Sequence, residues 1–340
     1  MKQFQPKRVF IEEKALDFPL GTEILNKMTV AAIPVQIIDS HNRIPRIPGK
    51  SPQQSYQEAK QTLVVGIKRD LRLNTCKPSA DFEFATGTSC PGGCQYCYLQ
   101  THLGRKPYIR VYVNLDEILA QIQKISEKNS PRITTFEASS TSDPLAVEHI
   151  TGSLSKTIEF FGGLESALLR VVTKFAAVDP LLNINHQGHT RFRFSLNSGE
   201  IIRKFEPNTA TMDERITAAQ KIARAGYPLG FIIAPLFIYP ESIADYTELF
   251  KKLASVLHPV PPDLTFEFIT HRFTKSAKNV IMERFPNTRL DLDESKRRRK
   301  FGKYGLVKYI YPEAEYTRLK EFILGNMARF FPGARVEYFT

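Results

Sequence analysis

Two periods of hydrophobic and polar positions alternate along residues 108–269. Short runs of β-branched and aromatic residues predict strands at 109–113, 133–136, 168–173, 192–196, 229–234 and 264–269. Between them, apolar residues three and four apart predict helices after residue 114 and at 153–161, 179–185, 212–225 and 243–256. Strands that alternate with helices favour a parallel sheet. The pattern predicts an α/β fold, an incomplete TIM-like barrel of about six βα units.

Local signals mark the helix ends and the candidate site. Asn114, with Glu117 three residues later, predicts a helix cap, and Gly226 predicts the end of the helix at 212–225. The residues of interest fall at the ends of the predicted strands, at 137–143, 174, 195–197 and 234–235. In barrel-like α/β folds the site lies at these C-terminal strand ends.

The chain differs on either side of this pattern. Prolines interrupt the first 52 residues, in which we predict a helix at 21–28 and a strand at 30–38. A further strand is predicted at 63–67. After residue 271 we predict helices at 275–284 and 313–330, a hairpin within 301–311 and a terminal strand at 334–339. We therefore expect an N-terminal extension at 1–75, a barrel core at 76–270 and a C-terminal region with a basic hairpin at 271–340.

Three of the four cysteines lie in one turn-rich loop. Cys90, Cys94 and Cys97 have the spacing C-x3-C-x2-C, and the glycines between the first two allow a tight turn. A [4Fe–4S] cluster normally takes four cysteines, so three would leave one iron open to another ligand. Structural zinc is the alternative, although it usually needs two close pairs of ligands. A disulfide framework is disfavoured in a long chain with so few cysteines.

Composition and charge narrow the class of protein. The chain has 340 residues and a net charge of +12, which indicates either a polyanionic partner or simply a basic enzyme. No apolar run is long enough to span a bilayer, and the first residues lack the apolar segment of a signal peptide. We expect a cytoplasmic protein that does not bind membranes.

The cysteine spacing resembles the radical S-adenosylmethionine (SAM) superfamily, in which SAM binds the open iron. Other segments resemble the spore photoproduct lyase family and cover nearly the whole chain: 76–81, 94–101, 106–116, 141–143, 172–174, 190–198, 271–275, 288–294 and 336–340. The resemblance implies a carbon–carbon lyase for DNA repair. Its substrate would be the thymine dimer 5-thyminyl-5,6-dihydrothymine in the DNA of germinating spores, which places the enzyme in the spore core.

The resemblance also implies a mechanism with two cofactors, a [4Fe–4S] cluster and SAM. An electron from the cluster cleaves SAM to methionine and a 5′-deoxyadenosyl radical, which removes a hydrogen atom from the methylene bridging the thymines. The dimer then fragments, a protein group returns a hydrogen atom, and SAM is re-formed. The implied partners are DNA with the lesion flipped out of the stack and a one-electron donor such as a flavodoxin or ferredoxin.

The family's cofactor-binding positions can be carried over residue by residue. The resemblance assigns the cluster to Cys90, Cys94 and Cys97, and SAM to Ser142, Lys174, Ser195 and the backbone near Ala234. Taken alone, the two serines would be ordinary turn or strand-end residues and the lysine a solvated one.

The hydrogen donor departs from the family pattern. The family has a cysteine just before the Thr-Ser-Asp triplet at 141–143, but this chain has Ser140, whose O–H bond is too strong to donate readily. We hypothesise that Cys76 is the donor. The alternatives are a small buried cysteine without a catalytic role and a substitution introduced at position 140. Tyr96 and Tyr98 would relay the hydrogen atom, unless Tyr96 merely packs against the adenine.

A basic stretch at 295–308 is the expected DNA-binding segment. The stretch contains no acidic residue, and its cations are interleaved with aromatic residues and glycines. This composition suits phosphate contacts and an aromatic side chain that wedges between bases. A run of charges is, however, more often a solvated face. We expect contacts from Arg298, Arg299 and Lys308. The family's hairpin pair of a basic residue and a tyrosine matches Lys303 and Tyr304, with lysine where the family often has arginine.

Other functions fit some of the same residues. A different radical SAM enzyme, acting on RNA or a peptide, and a non-enzymatic iron–sulfur DNA-binding protein both fit the cysteine loop. A light-driven photolyase is disfavoured because the chain has no tryptophan. His186 and His189 have a spacing that could bind zinc, but two histidines in a polar loop more often have no metal role.

Overall fold

The computed structural model describes residues 3–104, 107–302 and 305–340. Its strands are β1 (Arg8–Glu12), β2 (Val35–Ile38), β3 (Thr62–Gly66), β4 (Asn74–Cys76), β5 (Ala80–Phe84), β6 (Gly87–Thr88), β7 (Ile109–Tyr112), β8 (Thr134–Ala138), β9 (Ala167–Thr173), β10 (Thr190–Leu196), β11 (Leu229–Leu236), β12 (Thr265–Thr270), β13 (Arg298–Phe301), β14 (Val307–Ile310) and β15 (Arg335–Phe339). Its α-helices are α1 (Pro19–Val30), α2 (Pro52–Lys60), α3 (Leu99–His102), α4 (Leu115–Asn129), α5 (Glu148–Thr151), α6 (Ser153–Gly162), α7 (Gly199–Phe205), α8 (Met212–Arg224), α9 (Ser242–Val256), α10 (Lys275–Arg284) and α11 (Glu313–Phe330). In this part of the chain, no helix is both long and apolar enough to cross a bilayer.

The larger sheet is a curled half-barrel with the order β15-β12-β11-β10-β9-β8-β5-β4. Neighbouring strands from β5 to β12 are parallel. At the two edges, β15 is parallel to β12 and β4 is antiparallel to β5. The apolar face of this sheet packs against the helices that connect its strands, in one large hydrophobic core. The predicted α/β partial barrel is confirmed.

The ends of the barrel helices follow from local sequence. The Thr211 hydroxyl accepts the Glu214 backbone N–H, and the Glu214 side chain accepts the Thr211 N–H, so this pair caps α8 reciprocally. Gly226, with φ of +85°, lies just beyond the helix, as predicted. The helix predicted at 179–185 is only a 3-10 turn, Asp179–Leu181. There the Tyr227 hydroxyl donates to the Leu181 carbonyl (2.6 Å), and the helix goes no further.

The smaller sheet has the order β2-β1-β3-β7-β6, and its first four strands are parallel. Residues 109–113 look like the first strand of the barrel pattern, yet this strand, β7, pairs with β3 in the smaller sheet. The hydrophobic period of a buried parallel strand is the same in either sheet, so it does not reveal which sheet the strand joins. The smaller sheet includes strands from both sides of the expected boundary at residue 76, and the three-region division stays a prediction.

Asn114 precedes α4 as predicted, but its side chain does not cap the helix. Its amide oxygen accepts the Lys68 backbone N–H (2.8 Å), and its amide nitrogen donates to the Lys68 carbonyl (2.9 Å) and to Glu117 (2.7 Å). The side chain therefore fastens the segment after β3 to the start of α4.

The face of the larger sheet opposite the helices carries charged residues. Arg193 is fully buried and donates to Glu267 (2.8 Å) and to Glu137. Arg170 pairs with Glu267 (3.4 Å) and with Glu337 of the last strand. We call these five residues the interior charge network. It links strands β8, β9, β10, β12 and β15 across the inside of the half-barrel.

Candidate active site

The cysteine loop lies between β6 and α3, beside the C-terminal end of β8. The Ser89 backbone N–H donates to the Thr141 carbonyl (2.7 Å), and Ser89 and Ser142 form a parallel bridge. This pairing places the three cysteines at the end of the half-barrel where the parallel strands finish, the usual position of a site in such folds.

Glycines let the loop pack closely around its sulfur atoms. The Gly93 backbone N–H donates to the Pro207 carbonyl (2.8 Å), which ties the loop to the chain after α7. A Cβ atom added at Gly92 would lie 3.5 Å from the Cys90 sulfur and 3.9 Å from the Cys94 sulfur. The first two sulfur atoms therefore both lie close to a position that has no side chain.

A half-buried lysine, Lys60, lies beside the cysteines. The Lys60 ammonium donates to the Cys90 carbonyl (2.7 Å) and the Ser89 hydroxyl (3.2 Å). Burial alone would lower the pKa of Lys60, but Tyr56 and the three cysteine sulfurs outweigh it and raise the pKa. Burial raises the pKa of the Cys90 thiol to about 11, and Lys60 opposes this change. A buried ammonium at this position favours an anionic group held by the sulfurs.

Helix α10 holds the other end of the cysteine loop. The Arg284 guanidinium donates to the Gln100 carbonyl (2.8 Å) and the Gly104 carbonyl (2.6 Å). The Gln100 amide in turn donates to the Cys94 carbonyl (3.0 Å). The C-terminal region thus braces the loop directly.

Lys174, expected to contact SAM, belongs to a buried ionic group. Its ammonium donates to the Tyr96 hydroxyl (2.7 Å) and the Glu206 carboxylate (2.8 Å). Arg215, also fully buried, donates to the second Glu206 oxygen (2.6 Å). Burial raises the pKa of Glu206, but the Lys174 and Arg215 cations outweigh it and lower the pKa to about 2. Glu206 is therefore ionised at neutral pH and fixes both cations and Tyr96.

The other residues expected to bind SAM lie at the same edge of the sheet. Lys174 follows β9, Ser195 is one residue before the end of β10, and Ala234 lies near the end of β11. Ser142 follows β8 in a turn closed by its N–H and the Ser139 carbonyl (2.9 Å). The structure therefore brings all four positions to neighbouring strand ends, while their roles stay predictions.

Asp143 joins two of these strand ends. Its carboxylate accepts the Thr173 hydroxyl and the Lys174 backbone N–H, both at 2.8 Å. Burial raises its pKa to about 6, against the effect of these hydrogen bonds. The aspartate of the Thr-Ser-Asp triplet thus holds the turn after β8 against the end of β9.

The two candidate donor positions lie near each other and near Tyr98. The Tyr98 hydroxyl donates to the Ser140 carbonyl, and the Ser140 hydroxyl donates to Glu83 on β5. Cys76 is the last residue of β4, and both Cys76 and Ser140 interact with Glu83. Tyr98 therefore reaches from the cysteine loop to the backbone of Ser140, whereas the Tyr96 hydroxyl is bound to Glu206.

The basic hairpin consists of β13 and β14. Its base pairs with the segment after β12, through reciprocal backbone hydrogen bonds between Phe273 and Tyr309 (2.7 and 3.2 Å). Lys300 lies directly opposite Lys308, and Phe301 is 73% exposed near the tip. Burial lowers the pKa of Lys308, and Arg272 and Lys300 lower it further. Lys303 and Tyr304 lie outside the described residues.

The two histidines considered for zinc bind the backbone instead. His186 is hydrogen-bonded to the Ala225 carbonyl (3.1 Å) and accepts the Gly188 N–H (2.9 Å), and its ring stacks on Tyr227. His189 is hydrogen-bonded to the Phe161 carbonyl (2.9 Å). Both side chains fasten the loop before β10.

Sequence reasoning missed several charged residues of the site: Lys60, Glu83, Glu206, Arg215 and Arg284. Each lies on an element whose pattern is that of an ordinary amphipathic helix, strand or turn. Their partners are distant in sequence, so no local spacing marks them. The nearest signal was the position of Lys60, two residues before the buried run of β3.

A half-barrel of parallel strands with three cysteines beside its C-terminal edge is the arrangement of a radical SAM enzyme. The family model described as "Spore photoproduct lyase" matches residues 4–340. The chain therefore belongs to the spore photoproduct lyase family, whose members are radical SAM lyases.

Relatives and solved structures agree with this assignment. The chain is 51% identical over 341 residues to the spore photoproduct lyase of Geobacillus sp. (strain Y412MC61), covering 100% of both chains. It is 48% identical over 338 residues to that of Bacillus subtilis (strain 168), covering 99% of both. A solved spore photoproduct lyase complexed with dinucleoside spore photoproduct has a TM-score of 0.96 and 50% identity, covering 100% of both chains. A double variant with one cysteine removed and one introduced, bound to AdoMet and dinucleoside spore photoproduct, has the same values.

Proposed function

We propose that this chain repairs spore photoproduct in DNA, with a [4Fe–4S] cluster and SAM as cofactors. The observation that carries the proposal is the position of the cysteine loop at the strand ends that also hold Lys174, Ser195 and Ala234. The solved relative that binds dinucleoside spore photoproduct supports the choice of substrate. A radical SAM enzyme for RNA or peptides would not be expected to share full-length identity with these lyases.

The residues of the loop fit an iron–sulfur cluster. Cys90, Cys94 and Cys97 would bind three of its irons, and Lys60 would balance the negative charge of the thiolates. When bound, the cluster and SAM supply a carbon radical that can remove a hydrogen atom from the lesion. The chain itself contributes binding, orientation and the exclusion of water.

Lys174 is suited to hold the carboxylate of SAM. An ammonium has three N–H donors, and Tyr96 and Glu206 take two of them. The third donor is available to an anion at the sheet edge. Ser142 and Ser195 would offer hydroxyls there, and the chain near Ala234 would offer backbone groups.

Cys76 is the hydrogen donor in this proposal. A thiol gives a hydrogen atom to a carbon radical far more readily than the Ser140 hydroxyl does. Tyr98 would return the hydrogen atom to the sulfur, because its hydroxyl reaches the backbone of Ser140 beside Cys76. Tyr96 would serve chiefly to position Lys174, since its hydroxyl is bound to Glu206.

The hairpin would bind the DNA backbone. Like charges directly opposite each other on a hairpin are destabilising, and Lys300 and Lys308 are such a pair. Phosphate groups would relieve this repulsion, and Arg299, which precedes Lys300 on β13, adds a further cation to the hairpin. The lesion would then be flipped toward the strand ends, with Phe301 near the opened stack.

A flavodoxin or ferredoxin in the spore core would supply the electron.

Anaerobic reconstitution tests the activity directly. The purified chain is loaded with iron and sulfide and given dithionite, SAM and dinucleoside spore photoproduct, and thymine release is followed by chromatography. We expect thymine from the intact chain and none from Cys94→Ala, which should also lose cluster iron. A matched Cys76→Ala variant should keep its iron. A loaded chain that binds SAM but releases no thymine would contradict the proposed substrate.

Moving the thiol tests the donor. We expect Cys76→Ala to release less thymine and more side products, and a second substitution, Ser140→Cys, to restore clean repair in that background. The measurement is the fraction of converted lesion that appears as thymine. Clean repair by Cys76→Ala alone would remove Cys76 from the mechanism.

A further inference from the structure

Glu83 occupies the space between the two candidate donor positions. It lies on β5 directly opposite Asn74 of β4, whose amide donates to it at 3.5 Å. Cys76 is two residues further along β4, and alternate residues of a strand point to the same face. The Ser140 hydroxyl donates to Glu83 from the other side, and Cys76 is close enough to the carboxylate for Glu83 to raise the pKa of the thiol.

The hydrogen-bond partners of Glu83 are neutral groups. Among the described residues, no cation forms an ion pair with it, although Lys68 and Arg72 line the same cavity of about 50 Å³. Glu137, the other carboxylate acting on Cys76, is instead paired with Arg193. The charge of Glu83 is therefore the less compensated of the two near the sulfur.

The surroundings of Cys76 favour its neutral form. Burial raises the pKa of the Cys76 thiol to about 11, Glu137 and Glu83 act in the same direction, and Arg193 opposes them. Transfer of a hydrogen atom from the thiol breaks an S–H bond and forms a C–H bond without moving net charge. A neighbouring carboxylate does not oppose that transfer, but it does oppose loss of a proton to give a thiolate, the form that electrophiles and oxidants attack.

We propose that Glu83 is a positioning residue for hydrogen transfer, holding Cys76 beside Ser140 as a neutral thiol. This inference rests on the proposed donor role of Cys76. Two properties of the carboxylate act separately: its oxygens accept the hydrogen bonds that place the two side chains, and its charge suppresses the thiolate.

The charge is tested by alkylation of Cys76 in the cluster-loaded enzyme. Iodoacetamide is added at pH 8, and labelling of the peptide that contains Cys76 is followed by mass spectrometry. Glu83→Gln keeps an acceptor oxygen but removes the charge, so the pKa should fall by about one unit and alkylation should become about tenfold faster. Glu83→Asp keeps the charge and should react at close to the original rate. Glu127→Gln, on the surface of α4, is the control and should not change it.

The acceptor is tested by the product of repair. Glu83→Ala removes the acceptor oxygens that face Cys76 and Ser140, and we expect the thymine fraction at pH 7 to fall severalfold while lesion consumption continues. Glu83→Gln should restore that fraction. Alkylation rates within twofold of each other in the Gln variant and the unchanged chain, or clean repair by the Ala variant, would overturn the inference. If Cys76→Ala repairs cleanly, the donor assignment fails, whereas the alkylation rates still report the action of Glu83 on the thiol.

Discussion

The interior charge network and the basic hairpin use arginine and lysine in opposite ways. Inside the half-barrel, Arg193 and Arg170 are each held by two carboxylates, and the charges are nearly balanced. On the hairpin, Arg298 pairs with Glu313 at the surface, while Lys300 lies opposite Lys308. The network has two arginines against three glutamates, whereas the two hairpin strands carry four cations and no acid, so the hairpin has positive charge left over for a ligand.

This difference separates stability from binding. A buried charge that loses its partner must be neutralised or exposed to water, and either costs several kcal/mol. An exposed charge that loses its partner costs little, because water solvates it. Substitutions inside the barrel should therefore change folding, and substitutions on the hairpin should change affinity for DNA.

The largest effect is expected from Arg193→Met. The substitution leaves Glu137 and Glu267 buried without their shared cation, so we expect the free energy of unfolding to fall by roughly 3–5 kcal/mol. Urea unfolding at pH 7 measures it. Arg335→Met, at the exposed end of β15, is the control and should change stability by less than about 0.5 kcal/mol. A loss below about 1 kcal/mol for Arg193→Met would mean that the network is not a buried, coupled group.

Glu206→Gln should have a smaller effect that depends on pH. The folded pKa of Glu206 is about 2 and its usual value is 4.5, so its contribution to stability is present above pH 4.5 and is lost as the pH falls toward 2. We expect the variant to be less stable at pH 7 by roughly 2–3 kcal/mol, the range for hydrogen bonds to charged groups. The gap should narrow on acidification.

Unfolding curves between pH 3 and 7 measure this gap. Glu200 is only partly buried and is paired with Arg203 and Lys204 on α7, so Glu200→Gln is the matched control. A gap of constant size across the range would show that Glu206 acts through packing and not through its charge.

Lys300→Thr should change the stability of the hairpin and its affinity for DNA in opposite directions. Removing one of two opposed cations should stabilise the hairpin by about 0.2–1 kcal/mol, seen as slower amide exchange in β13 and β14. The same change should weaken binding to lesion-bearing DNA and reduce the slope of log affinity against log salt by about 1. Unchanged affinity together with a stabilised hairpin would remove Lys300 from the DNA contacts.

Much of the fold was predictable, because each barrel element carries its own period and end signals. The α8 cap at Thr211 and Gly226 after its last turn are local, and the strand ends of the candidate site follow from the strand order. The sequence could not show which of the two sheets β7 joins, since a buried parallel strand has the same hydrophobic pattern in either sheet.

The charged part of the site was predictable only in part. The resemblance indicated Lys174, but Glu206 and Arg215, which hold it, come from a turn and a helix with ordinary surface patterns. Glu83 is one polar residue among others on an alternating strand. Such residues acquire their role from partners 9 to 57 positions away, and no spacing within a single element records that distance.

The last strand of the half-barrel has a consequence for how the chain matures. Glu337 on β15 supplies one of the two carboxylates of Arg170, and Tyr338 donates to Glu267. While residue 337 is still inside the ribosome, Glu267 is the one carboxylate of the network that can pair with Arg170, and Glu267 also pairs with Arg193. The inside of the half-barrel therefore becomes complete only after β15 has emerged, so a nascent chain stalled before that point would expose Arg170 without one of its two carboxylates to proteases and chaperones.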